Sequence, residues 1–288
     1  MLRASDRDAA IWLPYKLFKR KKIMTKYILL IVFLISCYAT KAQSPWVDNK
    51  GSLYVQGSFN TITYSSIFNS DGGSSQIGFE TTDRTYSIYG SYSITDRTGI
   101  LFNLPYKSVT ANDASLSAFG DISLKVKHEL LGNSRLTAYA GYTAPTATRE
   151  GNLRTGYDQH SIDVGLSTGF SSGKTYGYFG SGYRYRENIP SQFIIDAEIG
   201  TSSVIGGRTL SLIFHIDGAL NFSTVEDLEG DETVLYHNNG QFLSPGIKVS
   251  FNAYKNWWIN LGGFGAITAR NQGAGGSISI GIAYSLKR

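Results

Sequence analysis

The sequence predicts an all-β protein: a transmembrane antiparallel up-and-down β-barrel of about twelve strands. Three observations point there. The first is the alternation after Phe119-Gly120, where Ile122, Leu124, Val126 and Leu130 form one set and Asp121, Ser123, Lys125, Lys127 and Glu129 the other. A period of two puts successive side chains on opposite faces of a strand. In a soluble sandwich the charged face would meet water and the oily face a core. In a membrane barrel the oily face meets lipid and the charged face the lumen. The second observation is length. Alternating segments of about ten residues or more recur to the end of the chain, whereas a soluble strand usually has about five or six and a tilted membrane strand needs about 9–11. The third is that short and long connections alternate, as they do between the two sides of an outer-membrane barrel.

Taken in order, the predicted strands are 51–64, 84–94, 98–109, 118–130, 135–147, 158–170, 174–187, 191–204, 208–223, 240–252, 256–269 and 276–287. Tight turns fall at Thr95-Asp96-Arg97, Leu131-Gly132-Asn133-Ser134, Ser171-Ser172-Gly173, Ile205-Gly206-Gly207 and Ala253-Tyr254-Lys255. Between them lie the longer links 65–83, 110–117, 148–157, 224–239 and 270–275; Asn188-Ile189-Pro190 is the one short link on that side. An even count puts both termini on the short-turn side. Ten or fourteen strands are the alternatives, because 65–83 or 224–239 could hide strands. Tyr254 and Trp257-Trp258 sit at a strand start, where an interfacial aromatic girdle belongs.

Composition agrees. The 288 residues include 32 Gly, 19 Tyr and 15 Phe, and 17% are charged, below the usual quarter. The formal charge of +5 misleads, because residues 1–42 hold nine Lys or Arg against two acids, leaving −2 for residues 43–288. The basic balance is therefore no argument for nucleic acid. The single cysteine, Cys37, precedes the barrel, which excludes a disulfide framework or a thiolate metal site within it.

Tyr27 to Tyr38 is an apolar run behind Lys26, with Thr40-Lys41-Ala42 offering small residues before a cut at Ala42-Gln43. This reads as a signal peptide over 24–42, too short for a comfortable span. Residues 1–23 read as an upstream extension or a long basic n-region. Leu34-Ile35-Ser36-Cys37 also has the look of a lipobox, although a barrel needs no lipid anchor. Residues 43–288 form the barrel, placed after export in the outer membrane of a Gram-negative bacterium, in contact with its lipid and lipopolysaccharide.

Several passages recur together: Leu104-Pro105-Tyr106, then Phe119-Gly120-Asp121-Ile122, then Tyr142-Thr143-Ala144-Pro145-Thr146, then Thr155-Gly156. In this order they resemble the outer-membrane proteins grouped as the "MetA-pathway of phenol degradation" family. The opening Pro45-Trp46-Val47-Asp48-Asn49-Lys50-Gly51 is similar too. The resemblance covers most of 45–288 and is densest over 104–156. Two departures stand out: the family's Pro-Thr-Gly is Pro145-Thr146-Ala147 here, and the chain ends in Leu286-Lys287-Arg288 without a terminal aromatic. The resemblance implies an uptake channel for aromatic compounds.

The polar face supplies the candidate site. Read strand by strand it carries Lys107, Asp121, Lys125, Lys127, Glu129, Asp163, Arg184, Arg186, Asp196, Glu198, His215, Asp217 and Lys248. Asp121, Lys125, Lys127, Asp163, Arg184, Asp196, Glu198, His215, Asp217 and Lys248 are the lumen or gate candidates. Arg184 and Arg186 on one strand and Asp196 and Glu198 on the next carry opposite charges. Such charges are costly in lipid but favourable when paired in a lumen. They serve either a solute path or a structural network that fills a narrow barrel.

His215-Ile216-Asp217 lacks a nucleophile, and no histidine is followed two residues later by the Ser of the outer-membrane phospholipases. No catalytic residue, metal site or cofactor is expected. Glu226, Asp227, Glu229, Asp231 and Glu232 could hold a divalent cation or simply be solvated. Three functions compete: a passive channel for small, hydrophobic or aromatic solutes, a structural or surface-interaction barrel with a closed lumen, and, behind both, an outer-membrane enzyme.

Overall fold

A computed structural model describes residues 46–132, 136–223 and 236–287. The expected leader, residues 1–42, lies outside the described residues, as do the acidic residues 226–232. Twelve long antiparallel strands close into one barrel: β1 (Leu53–Phe68), β2 (Ser74–Ser93), β3 (Thr98–Ala111), β4 (Ile122–Leu131), β5 (Leu136–Ala144), β6 (Ser161–Ser172), β7 (Thr175–Arg186), β8 (Gln192–Ile205), β9 (Arg208–Asn221), β10 (Gln241–Tyr254), β11 (Trp257–Gly265) and β12 (Gly276–Leu286). Each strand pairs with its neighbours in sequence, and β12 returns to β1, so that Phe59 faces Tyr86 on one side and Ile280 on the other. Closure removes the unpaired edges that a lipid environment cannot satisfy.

The pleat sorts side chains by face. Leu124 is 51% exposed while Lys127 on the same strand is 5% exposed. Leu212, Phe214, Ile216, Ile278, Ile280 and Ile282 are likewise exposed on the outside. The largest fully buried side chains are Gln192, Thr137, Thr155 and Asp163. A soluble sandwich would show the reverse. An apolar exterior around a polar interior is the surface of a barrel that spans a bilayer.

Local chemistry explains the boundaries. Gly206 and Gly207 both have positive φ, which suits the two-residue turn from β8 to β9. The expected long link 65–83 is mostly strand, since β1 and β2 continue past the pattern to a tip at 69–73. There Ile67 and Ile77 pack against the buried Tyr64. The strand expected over 118–130 is split. Residues Ala114–Phe119 fold back along β3, and β4 starts only at Ile122. Pro105 has no N–H to donate. The β3 ladder breaks opposite it, and the Gly120 N–H bonds the Pro105 carbonyl instead.

The girdle expectation needs one correction. Trp257 is exposed outside and packs edge-on against Tyr284, with ring centroids 5.1 Å apart. Trp258, the next residue along the strand, lines the interior.

Candidate solute path

Inward-facing residues enclose two cavities stacked along the barrel. The middle one is about 530 Å³ and the one toward the short-turn end about 340 Å³. Tyr89, Glu198 and Lys248 line both, so they stand at the junction. Lys248 Nζ donates to Glu198 at 2.5 Å from two strands away.

Register decides which of the expected partners meet. Arg184 is opposite Asp163 on β6 and Gln192 on β8, whereas Asp196 is opposite Gly180. The opposite charges of these two strands are therefore not direct partners at Arg184. Arg184 forms a two-pronged bond to Asp163, Nε to Oδ1 at 2.7 Å and Nη2 to Oδ2 at 2.9 Å. Lys125 Nζ joins the same carboxylate at 3.1 Å. Arg186 points to the long-loop end, where it donates to the carbonyls of Pro190 at 2.8 Å and Asn238 at 3.0 Å. His215 and Asp217 are 3.5 Å apart.

Glycines make room for these long side chains. A methyl group at Gly141 would lie 2.6 Å from Lys125 Cγ, and one at Gly165 or Gly182 would strike the Tyr139 hydroxyl. Lys125 and Tyr139 can thus lie along the wall instead of filling the lumen. Tyr178 donates to Asp196 Oδ1 at 2.6 Å.

Both ends are narrowed. At the short-turn end the Trp46 ring packs edge-on against Tyr176 and Tyr178, and its carbonyl accepts from Lys127 Nζ at 2.5 Å. Lys127 therefore holds the entering chain. At the long-loop end residues 236–240 turn inward. The Tyr236 hydroxyl bonds both Asp83 and Lys107, and those two residues pair at 3.3 Å. Burial, then the Asp83 carboxylate, raises the Tyr236 phenol well above its usual value, so it stays a donor. Gln192 Nε2 donates to the Gly240 carbonyl at 3.1 Å.

Asp121 is not in the lumen path. It sits before β4 and accepts from the backbone N–H of Tyr157 at 2.7 Å, and of Ala147 and Asp158 at 3.3 Å each. Thr146 Oγ1 bonds the Gly120 carbonyl at 2.6 Å, and Thr155 Oγ1 bonds that of Phe119 at 2.7 Å. A methyl group at Gly156 would lie 2.5 Å from the Asp121 carboxylate. The motif residues at 105, 119–121, 146 and 155–156 thus form one clasp that ties the β5–β6 loop to the wall.

Sequence reasoning missed Asp83, Tyr89, Tyr139, Tyr178, Trp46 and Tyr236. The two-residue period was enough to place Tyr89, Tyr139 and Tyr178 inward. Asp83 was hidden by the supposed loop. Nothing local marks Trp46 or Tyr236, whose partners are about 80 to 150 residues away in sequence.

No family model and no curated protein matches the sequence. Among solved structures, the chain is similar to an outer membrane channel from Pseudomonas putida F1, with a TM-score of 0.64 and 14% identity over 85% of this chain and 100% of that one. Weaker likenesses include the KdgM porin in complex with disordered oligogalacturonate, with a TM-score of 0.46 and 10% identity over 82% and 99% of the two chains. The translocator domain of the autotransporter NalP from Neisseria meningitidis gives 0.46 and 12%, over 82% and 89%. At this identity the first likeness speaks to architecture: the chain folds as a transmembrane β-barrel of the outer-membrane type.

Proposed function

We propose that this barrel is a passive channel for small solutes in the outer membrane of a Gram-negative cell. The observation that carries the reading is the pair of cavities, about 530 and 340 Å³, lined by charged, tyrosine and apolar side chains and joined at Tyr89, Glu198 and Lys248. A barrel built only as a wall has no need of glycine notches that hold Lys125 and Tyr139 out of the lumen. The tyrosines along the path offer rings on which an aromatic solute can stack, in keeping with the resemblance of 104–156 to the phenol-degradation family. The long-loop end faces outward and the short-turn end faces the periplasm.

The test is conductance in planar bilayers together with solute swelling of proteoliposomes. Stepwise currents and solute entry are expected. A bilayer that stays sealed at all voltages, with no entry of any solute, would move the assignment to a closed structural barrel. The caps favour that second reading, because Trp46 and residues 236–240 narrow the two mouths.

A further inference from the structure

The charges around the middle cavity are sorted by sector. On β4 to β7, Lys125 and Arg184 share the one carboxylate of Asp163. That sector has cation to spare. On β8 and β9 the excess is the other way. Asp196 and Asp217 are direct cross-strand partners on the inward face. Like charges placed so oppose each other.

Among the described residues, neither carboxylate is in an ion pair with a lysine or arginine; Asp196 is held by the Tyr178 hydroxyl, and Asp217 has only His215 at 3.5 Å. Lys248 is close enough to feel both, but it is bonded to Glu198. The Asp217 side chain is 51% exposed and that of Lys125 34%, so both charged ends are open to the cavity.

Resting on the channel reading, we propose that the middle cavity binds zwitterionic solutes, with a protonated amine at Asp196 and Asp217 and a carboxylate at Lys125 and Arg184. An ammonium between the two carboxylates relieves their repulsion. A carboxylate matches the Lys125 ammonium and the guanidinium N–H groups of Arg184 that lie outside its two-pronged bond to Asp163. A purely anionic solute would meet the acidic pair, and a purely cationic one the basic sector. A solute carrying both charges satisfies both sectors at once.

The experiment uses the full mature barrel in liposomes, with γ-aminobutyrate as the zwitterion and erythritol as an uncharged solute of similar size. The expected result is faster swelling in γ-aminobutyrate than in erythritol. The ratio should fall toward one in Asp196→Asn/Asp217→Asn and, separately, in Lys125→Gln, with heat-modifiable migration confirming that each variant folds. A ratio near one in the wild-type barrel would overturn the proposal while leaving a channel. A ratio that responds to the acidic variant alone would also overturn it, leaving a cation site. If nothing swells, titration calorimetry with γ-aminobutyrate in detergent decides. Heat that both variants abolish would keep the binding site and remove the channel reading, and absence of heat would remove both.

Discussion

At the scale of single residues, Asp121 separates structure from transport. It accepts three backbone N–H groups from the β5–β6 loop. Asp121→Ala leaves those donors without their acceptor and should cost about 1–3 kcal/mol, visible as faster amide exchange at Ala147 and Tyr157. Asp121→Asn keeps an acceptor oxygen and should cost less. Burial raises the Asp121 carboxyl above its usual value against the pull of the N–H groups. A carboxyl held higher in the folded state contributes stability that is complete below its unfolded value and lost as pH rises through its folded one. Exchange in this loop should therefore slow, not quicken, as pH is lowered toward the carboxylate range, after correction for the intrinsic pH dependence; the reverse trend would contradict this sign.

Lys125 and Lys127 make a different prediction. Lys125 shares Asp163 with Arg184, while Lys127 anchors Trp46. Their joint replacement by Ala removes fixed positive charge and releases the entering chain. Conductance should rise and selectivity shift toward cations, measured from reversal potentials in a salt gradient. Unchanged values would make both lysines plain wall residues.

At the scale of elements, register carries the argument. A slip of one residue in β4 would turn Leu124 inward and Lys125 to lipid. Because Leu124 is on the lipid face, Leu124→Arg should cost roughly 2–4 kcal/mol if it lies near the midplane, read as a shift in the urea midpoint of folding into vesicles. The same substitution at an inward site such as Ser123 should cost much less.

The 236–240 segment is the second element with a clear consequence. Its Tyr236 joins β2 and β3 through Asp83 and Lys107. Tyr236→Ala should leave that ion pair in place but open the outer mouth. Larger single-channel currents are expected, and currents equal to wild type would mean this segment does not limit passage.

At the scale of the whole molecule, the closed ring sets the behaviour. Every wall strand has two partners, so the barrel should unfold as a unit and resist detergent. Unboiled protein should run ahead of boiled protein on a denaturing gel, and the chain should be extractable only with detergent. Release in soluble form by osmotic shock would contradict a bilayer-spanning barrel. Twelve strands stand between the filled eight-stranded barrels and the open porins. Diameter alone leaves the lumen undecided at this size, and side chains settle how much of it is free. Here the glycine notches at Gly141, Gly165 and Gly182 work toward an open middle, and Trp46 and Tyr236 toward narrow ends.

The sequence alone was enough for most of the strands, their order and the face of most wall residues, because a period of two is local and needs no partner; the tip of the β1–β2 hairpin, the break before β4 and the inward Trp258 escaped it. It was enough to place Leu124, Phe214 and Ile280 outside and Lys127, Asp163 and His215 inside, where they lie. Tertiary structure decided who meets whom. Arg184 chose Asp163 over Asp196 because the offset between adjacent strands is set by turns and closure, and alternation says nothing about offset. The four motif passages became one clasp at the rim, since their hydrogen bonds join loops that only the closed wall brings together. The two caps were invisible in the sequence for the same reason: Trp46 and Tyr236 acquire their partners across the lumen, and the lumen exists only once the ring has closed.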